Sequence, residues 1–224
     1  MLSSEQSVAD VVLDHSECAQ VFQQHRIDFC CRGEMTVEAA AKAKGVDVGA
    51  LLDELSRAIE QRHGARSTDP RELSTPALIA HIVSQHHAYL RRALPIARGL
   101  ALKVSRVHGD HNTKLRDLNV VVNELSEVLE PHLDDEEQTV FPALAAEQPD
   151  AAMVTRMLQS MVEEHLTVAR LLERLHVASD DFALPDWACN SYRALFSELQ
   201  QLEGDLLTHV HLENHVLRPR FATT

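Results

Sequence analysis

Histidine and glutamate recur together in this chain at one spacing. His132 and Glu136 are four residues apart, as are His209 and Glu213, and each pair is followed by a proline six residues after the glutamate, Pro142 and Pro219. Two more histidines stand ahead of the pairs at matching distances: His87 is 45 residues before His132, and His165 is 44 before His209. Residues four apart project from one helical face at neighbouring heights, so each pair offers an imidazole and a carboxylate to one place. A carboxylate among leucines is costly unless it is paired or ligating. Four histidines and two glutamates are too many donors for one tetrahedral zinc. Two carboxylates able to bridge, with terminal imidazoles, suit a pair of iron or manganese ions. The order, His before Glu, is the reverse of the Glu-x-x-His of ferritin-like sites. His86 sits beside His87, and periodicity leaves the choice between them open. A second chemistry is thiol-based. Cys30 and Cys31 are adjacent, which allows only a strained disulfide ring. The pair therefore reads as a transient metal handoff, a redox switch or a nitrosation site, with Arg32 beside it favouring thiolate.

Long helices must carry these residues. Thr75 to Val107 reads as the first, with Ser74 or Thr75 as N-cap and Pro76 at its start, and Pro95 bends it. GDHNT at 109–113 is a turn. The second helix carries Leu118, Val122, Leu125, Leu129, His132, Glu136 and Val140 at alternating steps of three and four, with a kink at Pro131. The third carries Val154, Leu158, Met161, His165, Val168, Leu172 and Leu175, and the fourth Leu195, Leu199, Leu202, Leu206, His209, Glu213 and Val216. These are seams of a helical bundle core, interrupted only by the donors. In the first hairpin His87 and His132 each fall ~27 Å from the turn, at 1.5 Å per residue. The second hairpin fits only if its connection climbs or its last helix starts later than Trp187. Ahead of the bundle, residues 1–60 read as a small helical domain. An Ala-rich helix there ends at Gly45, and Val48, Leu51, Leu52, Leu55 and Ile59 form the next apolar stripe. Residues 61–74 are polar and read as a linker, leaving 75–224 as the bundle. The fold class expected is all-α, a four-helix bundle preceded by a small helical domain.

The chain of 224 residues has 45% hydrophobic content and carries a formal charge of −13, with 14 histidines. It can bury a real core. The acidic balance argues against nucleic acid or an anionic membrane as partner. No stretch approaches a membrane span, the first 14 residues lack a signal-peptide pattern, and free thiols suit a reducing compartment. A cytoplasmic location is expected. Cys18 and Cys189 read as core or helix-surface residues, and His15, His25, His63, His81, His111, His176, His211 and His215 as surface groups or neighbours of the ligands. Glu164 is a candidate support for a ligand.

The motifs resemble a known family. The pattern H…HxxxE…H…HxxxE is that of hemerythrin-like domains. The closer resemblance is to the RIC family, di-iron proteins for repair of iron–sulfur centres. It is carried by IDFCC at 27–31, HIVSQHHAYLRRALP at 81–95, RVH at 106–108, HLDDEEQTVFP at 132–142, Glu164-His165 and HVHLENHVLRPR at 209–220. It covers nearly the whole chain. The resemblance implies His87, His132, Glu136, His165, His209 and Glu213 as ligands of two non-haem irons per chain, the glutamates bridging, with His87 rather than His86 in the first place. Two departures stand out: Arg32-Gly33 follows the cysteines where two glycines are usual, and Arg218 replaces a phenylalanine. His108 matches a family histidine yet falls near a turn, ~30 Å from the cluster. The function implied is repair of iron–sulfur clusters damaged by oxidative or nitrosative stress, by iron donation to damaged or apo iron–sulfur proteins. Alternatives are a nitric oxide or dioxygen binding, buffering or sensing protein, or a nitric oxide reductase fed electrons by a partner. A homodimer is carried by the resemblance alone.

Overall fold

The structure is a computed structural model that describes residues 2–61 and 69–221. His63 and most of the expected linker lie outside the described residues. The fold is all-α; among the described residues the one extended pairing is an isolated bridge between Ser7 and Thr36. The chain divides into two compact units, residues 75–206 and residues 1–74 with 207–224.

The N-terminal part of the latter unit contains α1 (Val8–Asp14), α2 (Cys18–Gln24), α3 (Val37–Lys44) and α4 (Val48–Glu60). Local chemistry sets their ends. Ser7, Thr36 and Asp47 each accept a backbone N–H from the first turn of α1, α3 and α4, satisfying donors that a helix start leaves open. Gly45 closes α3 at φ 69°, where a side chain is disfavoured. Leu51 and Leu55, from the stripe read in the sequence, are fully buried on α4 with Val8, Val11, Phe22 and Val37 from the other helices.

The larger unit begins with α5 (Thr75–Ile82), passes through a π turn (Val83–His87) into α6 (Ala88–His108), and reverses into α7 (Lys114–Asp135). A second π turn (Glu136–Val140) leads into the short α8 (Phe141–Leu144), followed by α9 (Ala151–Ser179) and α10 (Asn190–Leu212), which belongs to this unit as far as Leu206 and to the smaller unit beyond it. The α6 helix packs on α7, and α7 on α9, burying the leucine and valine seams. The helices run through Pro95 and Pro131 without a break; the changes of hydrogen-bond register fall at the π turns. The α10 helix starts at Asn190, later than Trp187, which narrows the mismatch of the second hairpin: His209 is 19 residues from that start and His165 is 14 from the end of α9. The loop before it is opened by Asp180, Asp181 and Phe182, all at positive φ. It is tied down by His176, whose Nδ1 meets Asp181 and whose Nε2 meets Glu203 on α10 at 2.7 Å. His176 is therefore no surface group: it is buried between two carboxylates. No helix among the described residues is long and apolar enough to cross a membrane.

Candidate metal centre

Glu136 is the focus of the larger unit's polar core. It opens the π turn after α7 and is 1% exposed. Two imidazoles face it. His132 Nε2, one turn earlier on α7, is 3.3 Å from Oε1, and His87 Nε2, at the end of the first π turn, is 3.4 Å from Oε2. His165, on α9, stands edge-on to His132 at 5.3 Å between ring centroids. Ligand atoms of His132, Glu136 and His165 all lie within 4.8 Å of one another. His87 also stacks on Phe141, which fixes the plane of its ring. His86 turns elsewhere, with Nδ1 3.0 Å from Asp205.

The far nitrogens of the two facing imidazoles are already committed. His87 Nδ1 donates to Glu137 at 2.9 Å, and His132 Nδ1 donates to Glu164 at 2.6 Å. Each carboxylate thereby fixes a tautomer that leaves Nε2 as a lone pair. The two Nε2 atoms then face one buried carboxylate. Hydrogen bonds between His⁺ and carboxylate run ~2.7–2.9 Å, shorter than the contacts here. Donors ~2.1 Å from a shared ion would be separated by roughly 3.0–3.4 Å, depending on its geometry. The donor set thus fits a cation better than a pair of buried protons, whose desolvation would be heavy.

Glu137 was not legible as a participant. It is held in turn by Arg91 at 3.0 Å, and Arg91 also reaches Asp134 at 2.7 Å. Burial works against its charge, but hydrogen bonds from His87 and Arg91 outweigh that and hold its carboxyl below the usual range. Glu164 has a lighter backing, a hydroxyl from Ser160 at 3.3 Å. Beside it a cavity of about 250 Å³ lies between α7 and α9, reaching from the exposed Asp135 and Arg156 in to His132 and Glu136, with Met157 and Met161 on its wall.

The smaller unit holds the second His/Glu pair. His209 lies in the last turn of α10, and Glu213 opens a third π turn (Glu213–Leu217). Both are fully buried, with Nε2 3.0 Å from Oε1. Residues around this pair grip the thiol loop. His211 Nδ1 donates to Phe29 O at 3.1 Å, and Asn214 Nδ2 and His215 Nε2 donate to Cys30 O at 3.0 and 2.9 Å. His211, read in the sequence as a surface or neighbouring group, is buried against Phe29. Burial and the neighbouring His215 lower it to about 4. Cys30 is buried and Cys31 half-buried. The bond to Cys31, then burial, push the Cys30 thiol well up, so the exposed Arg32 does not make it a thiolate. Cys18 is buried and Cys189 exposed just before α10. His108 ends α6 with Nε2 3.2 Å from Cys189 Sγ, its ring beside Trp187 and Tyr192.

Comparison with known proteins fits this arrangement. Residues 78–221 match the hemerythrin HHE cation binding domain, and residues 4–59 match ScdA_N, a domain of unknown function. An iron-sulfur cluster repair protein ScdA of Staphylococcus haemolyticus is 31% identical over 99% of this chain and 100% of its own length. An iron-sulfur cluster repair protein YtfE of Yersinia pseudotuberculosis is 32% identical over 96% of both. With both domains matched and full-length relatives above 30% identity, the chain belongs to the RIC family, an ScdA_N domain joined to a hemerythrin HHE domain.

Proposed function

We propose that this protein is a di-iron protein that takes part in repairing iron–sulfur clusters damaged by oxidative or nitrosative stress, by giving up iron to a damaged or apo iron–sulfur protein. The observation that carries the reading is the buried Glu136 faced by two imidazole nitrogens, at 3.3 and 3.4 Å, in a chain whose relatives are named for cluster repair. His87, His132, His165 and His209 serve as terminal ligands, and Glu136 and Glu213 as bridges. The domain division proposed is the one drawn from the sequence, a thiol-bearing domain over 1–60 and the iron-binding domain over 75–224. When bound, the iron pair supplies both the cargo and open positions for a small ligand. Glu137 and Glu164 keep the Nε2 lone pairs of His87 and His132 aimed at the metal. Glu136 and Glu213 would hold the ions through carboxylate oxygens, which bind metal only when deprotonated. Imidazole and carboxylate hold iron less firmly than an all-thiolate site, which suits a donor. The test is transfer of labelled iron from the loaded protein to an apo-ferredoxin. Transfer is expected from the wild type and lost in the Glu136→Ala/Glu213→Ala variant; undiminished transfer from that variant, or none from the wild type, would sink the reading.

The cavity between α7 and α9 favours a second reading. It leads from the surface to His132 and Glu136 and has room for a diatomic gas, so the centre is also suited to nitric oxide or dioxygen. Tight binding of nitric oxide by the reduced protein with no iron release would favour a buffer or sensor, and nitrous oxide formed over many turnovers a reductase. A location in the cytoplasm and a homodimer belong to the same proposal.

A further inference from the structure

The loop between α2 and α3 carries three donors that the His/Glu centre does not use. Ligand atoms of Asp28, Cys30 and Cys31 all lie within 4.8 Å of one another. Cys30 Sγ is 3.6 Å from Cys31 Sγ and 3.3 Å from Asp28 Oδ1. Two thiolates ~2.3 Å from a tetrahedral ion are separated by roughly 3.8 Å, and a thiolate and a carboxylate oxygen on the same ion by roughly 3.6 Å. The observed separations fall close to those edges. The sulfurs are far outside the ~2.05 Å of a disulfide, and both cysteines are free.

The loop is built to hold this shape. Asp28 Oδ1 accepts the backbone N–H of Cys30 at 3.1 Å and of Cys31 at 2.8 Å, so one carboxylate sets the direction of both thiols. The Cys30 carbonyl is pinned by Asn214 and His215, and that of Phe29 by His211. At Gly33 a Cβ would lie 2.5 Å from Phe29 O and 2.7 Å from His215 Nε2. Only glycine lets the chain close there. This accounts for glycine at the second position after the cysteines, while Arg32 at the first is exposed and free to vary.

We infer that Asp28, Cys30 and Cys31 form a second cation site, distinct from the His/Glu centre, for one divalent ion of borderline softness such as Fe²⁺, Co²⁺ or Zn²⁺. The donor set is two thiolates and one carboxylate, with a fourth position on the exposed side of Cys31. Binding deprotonates both thiols, M²⁺ + 2 RSH giving M(SR)₂ + 2 H⁺, and the carboxylate completes the set without a proton change. No oxidant or reductant is involved. The inference does not rest on the repair function, although a thiolate site in the same chain gives a donated iron a place to pause.

Anaerobic Co²⁺ titration of the metal-free protein tests it, because only thiolate ligation gives an intense sulfur-to-cobalt charge-transfer band in the near ultraviolet. The expected result is a band whose amplitude at saturation corresponds to one thiolate-bound ion per chain, with two protons released by that ion. Cys30→Ser/Cys31→Ser should abolish the band while the His/Glu centre still takes up Co²⁺, which shows that the variant is folded. Asp28→Asn keeps the acceptor for the two N–H groups and should weaken the phase about tenfold. No band at saturating Co²⁺, a band that survives the double serine variant, or an Asp28→Asn protein with unchanged affinity would overturn the assignment. A wild type that shows no band yet loads iron at the His/Glu centre would sink this site alone and leave the repair reading standing.

Discussion

At the scale of single residues, the centre depends on which imidazole nitrogen faces Glu136. His87 and His132 present Nε2 to Glu136 because Glu137 and Glu164 take the proton on Nδ1. The two supports are unequal. Glu137 is locked by Arg91, whereas the side chain of Glu164 is 42% exposed and borders the cavity. Removing charge from Glu137 therefore has a defined cost. Glu137→Gln can still accept from His87 but no longer pairs with Arg91, and it should weaken iron binding about 10–100-fold, measured by competition with a chelator of known affinity. Equal affinity in wild type and variant would show that Glu137 does not position the ligand. The thiols give a second residue-level expectation. Burial, then the neighbouring Glu17, push Cys18 up to about 12, and Cys30 is also raised, so at pH 8 both are almost entirely protonated as well as shielded. Cys189 is exposed beside His108. Iodoacetamide at pH 8 should modify Cys189 at least about tenfold faster than Cys18 or Cys30, since the thiolate is the nucleophile; mass mapping of the labelled peptides reads this directly.

At the scale of elements, the seams were legible and the π turns were not. A hydrophobic stripe at steps of three and four announces a buried helix face, so a histidine or glutamate within it announces a buried donor. His132, Glu136, His165, His209 and Glu213 all stood out this way, and all are buried. A π turn adds one residue to a helix, a change of register that side-chain propensity does not encode. Each of the three π turns ends or begins on a proposed ligand: His87, Glu136 and Glu213. The partners of buried polar groups were hidden for another reason. Glu137 and Glu203 come from other helices, and no local pattern shows that they meet His87 and His176 or that Arg91 backs Glu137. The π geometry carries its own test. Deleting the exposed Gln138 would return the Glu136–Val140 turn to α register and let Phe141 and Leu144 keep their places. Helicity by circular dichroism should be unchanged, while iron affinity falls by about 100-fold because Glu136 no longer meets both imidazoles. A deletion variant that binds iron normally would make the turn incidental. The third π turn joins two tasks on one element. It carries Glu213 and, in the next two positions, Asn214 and His215, which hold the Cys30 carbonyl.

At the scale of the whole molecule, the question is what the buried donors cost when no cation satisfies them. Glu136 and Glu213 are 1% and 0% exposed, and His87, His165 and His209 no more than 1%. Ionised carboxylates taken out of water cost several kcal/mol each unless matched by opposite charge. A hydrophobic core could have been built at these positions; the chain instead places donors in three of its seams, an arrangement that a bound cation would stabilise. The size follows from mass action. A ligand present at a thousand times its dissociation constant stabilises by about 4 kcal/mol, and a chain of 224 residues shifts its melting temperature by ~2–4 °C per kcal/mol. The iron-loaded protein should therefore melt about 8–16 °C above the chelated one in differential scanning calorimetry. Lowering the pH should erode that gap, because ligands must be deprotonated to hold the metal. The Glu136→Ala/Glu213→Ala variant should melt at the same temperature with and without iron. If the loaded and chelated wild types melted together, the buried carboxylates would have to be satisfied by protein groups alone, and the case for a cation between Glu136 and its two imidazoles would lose its energetic basis.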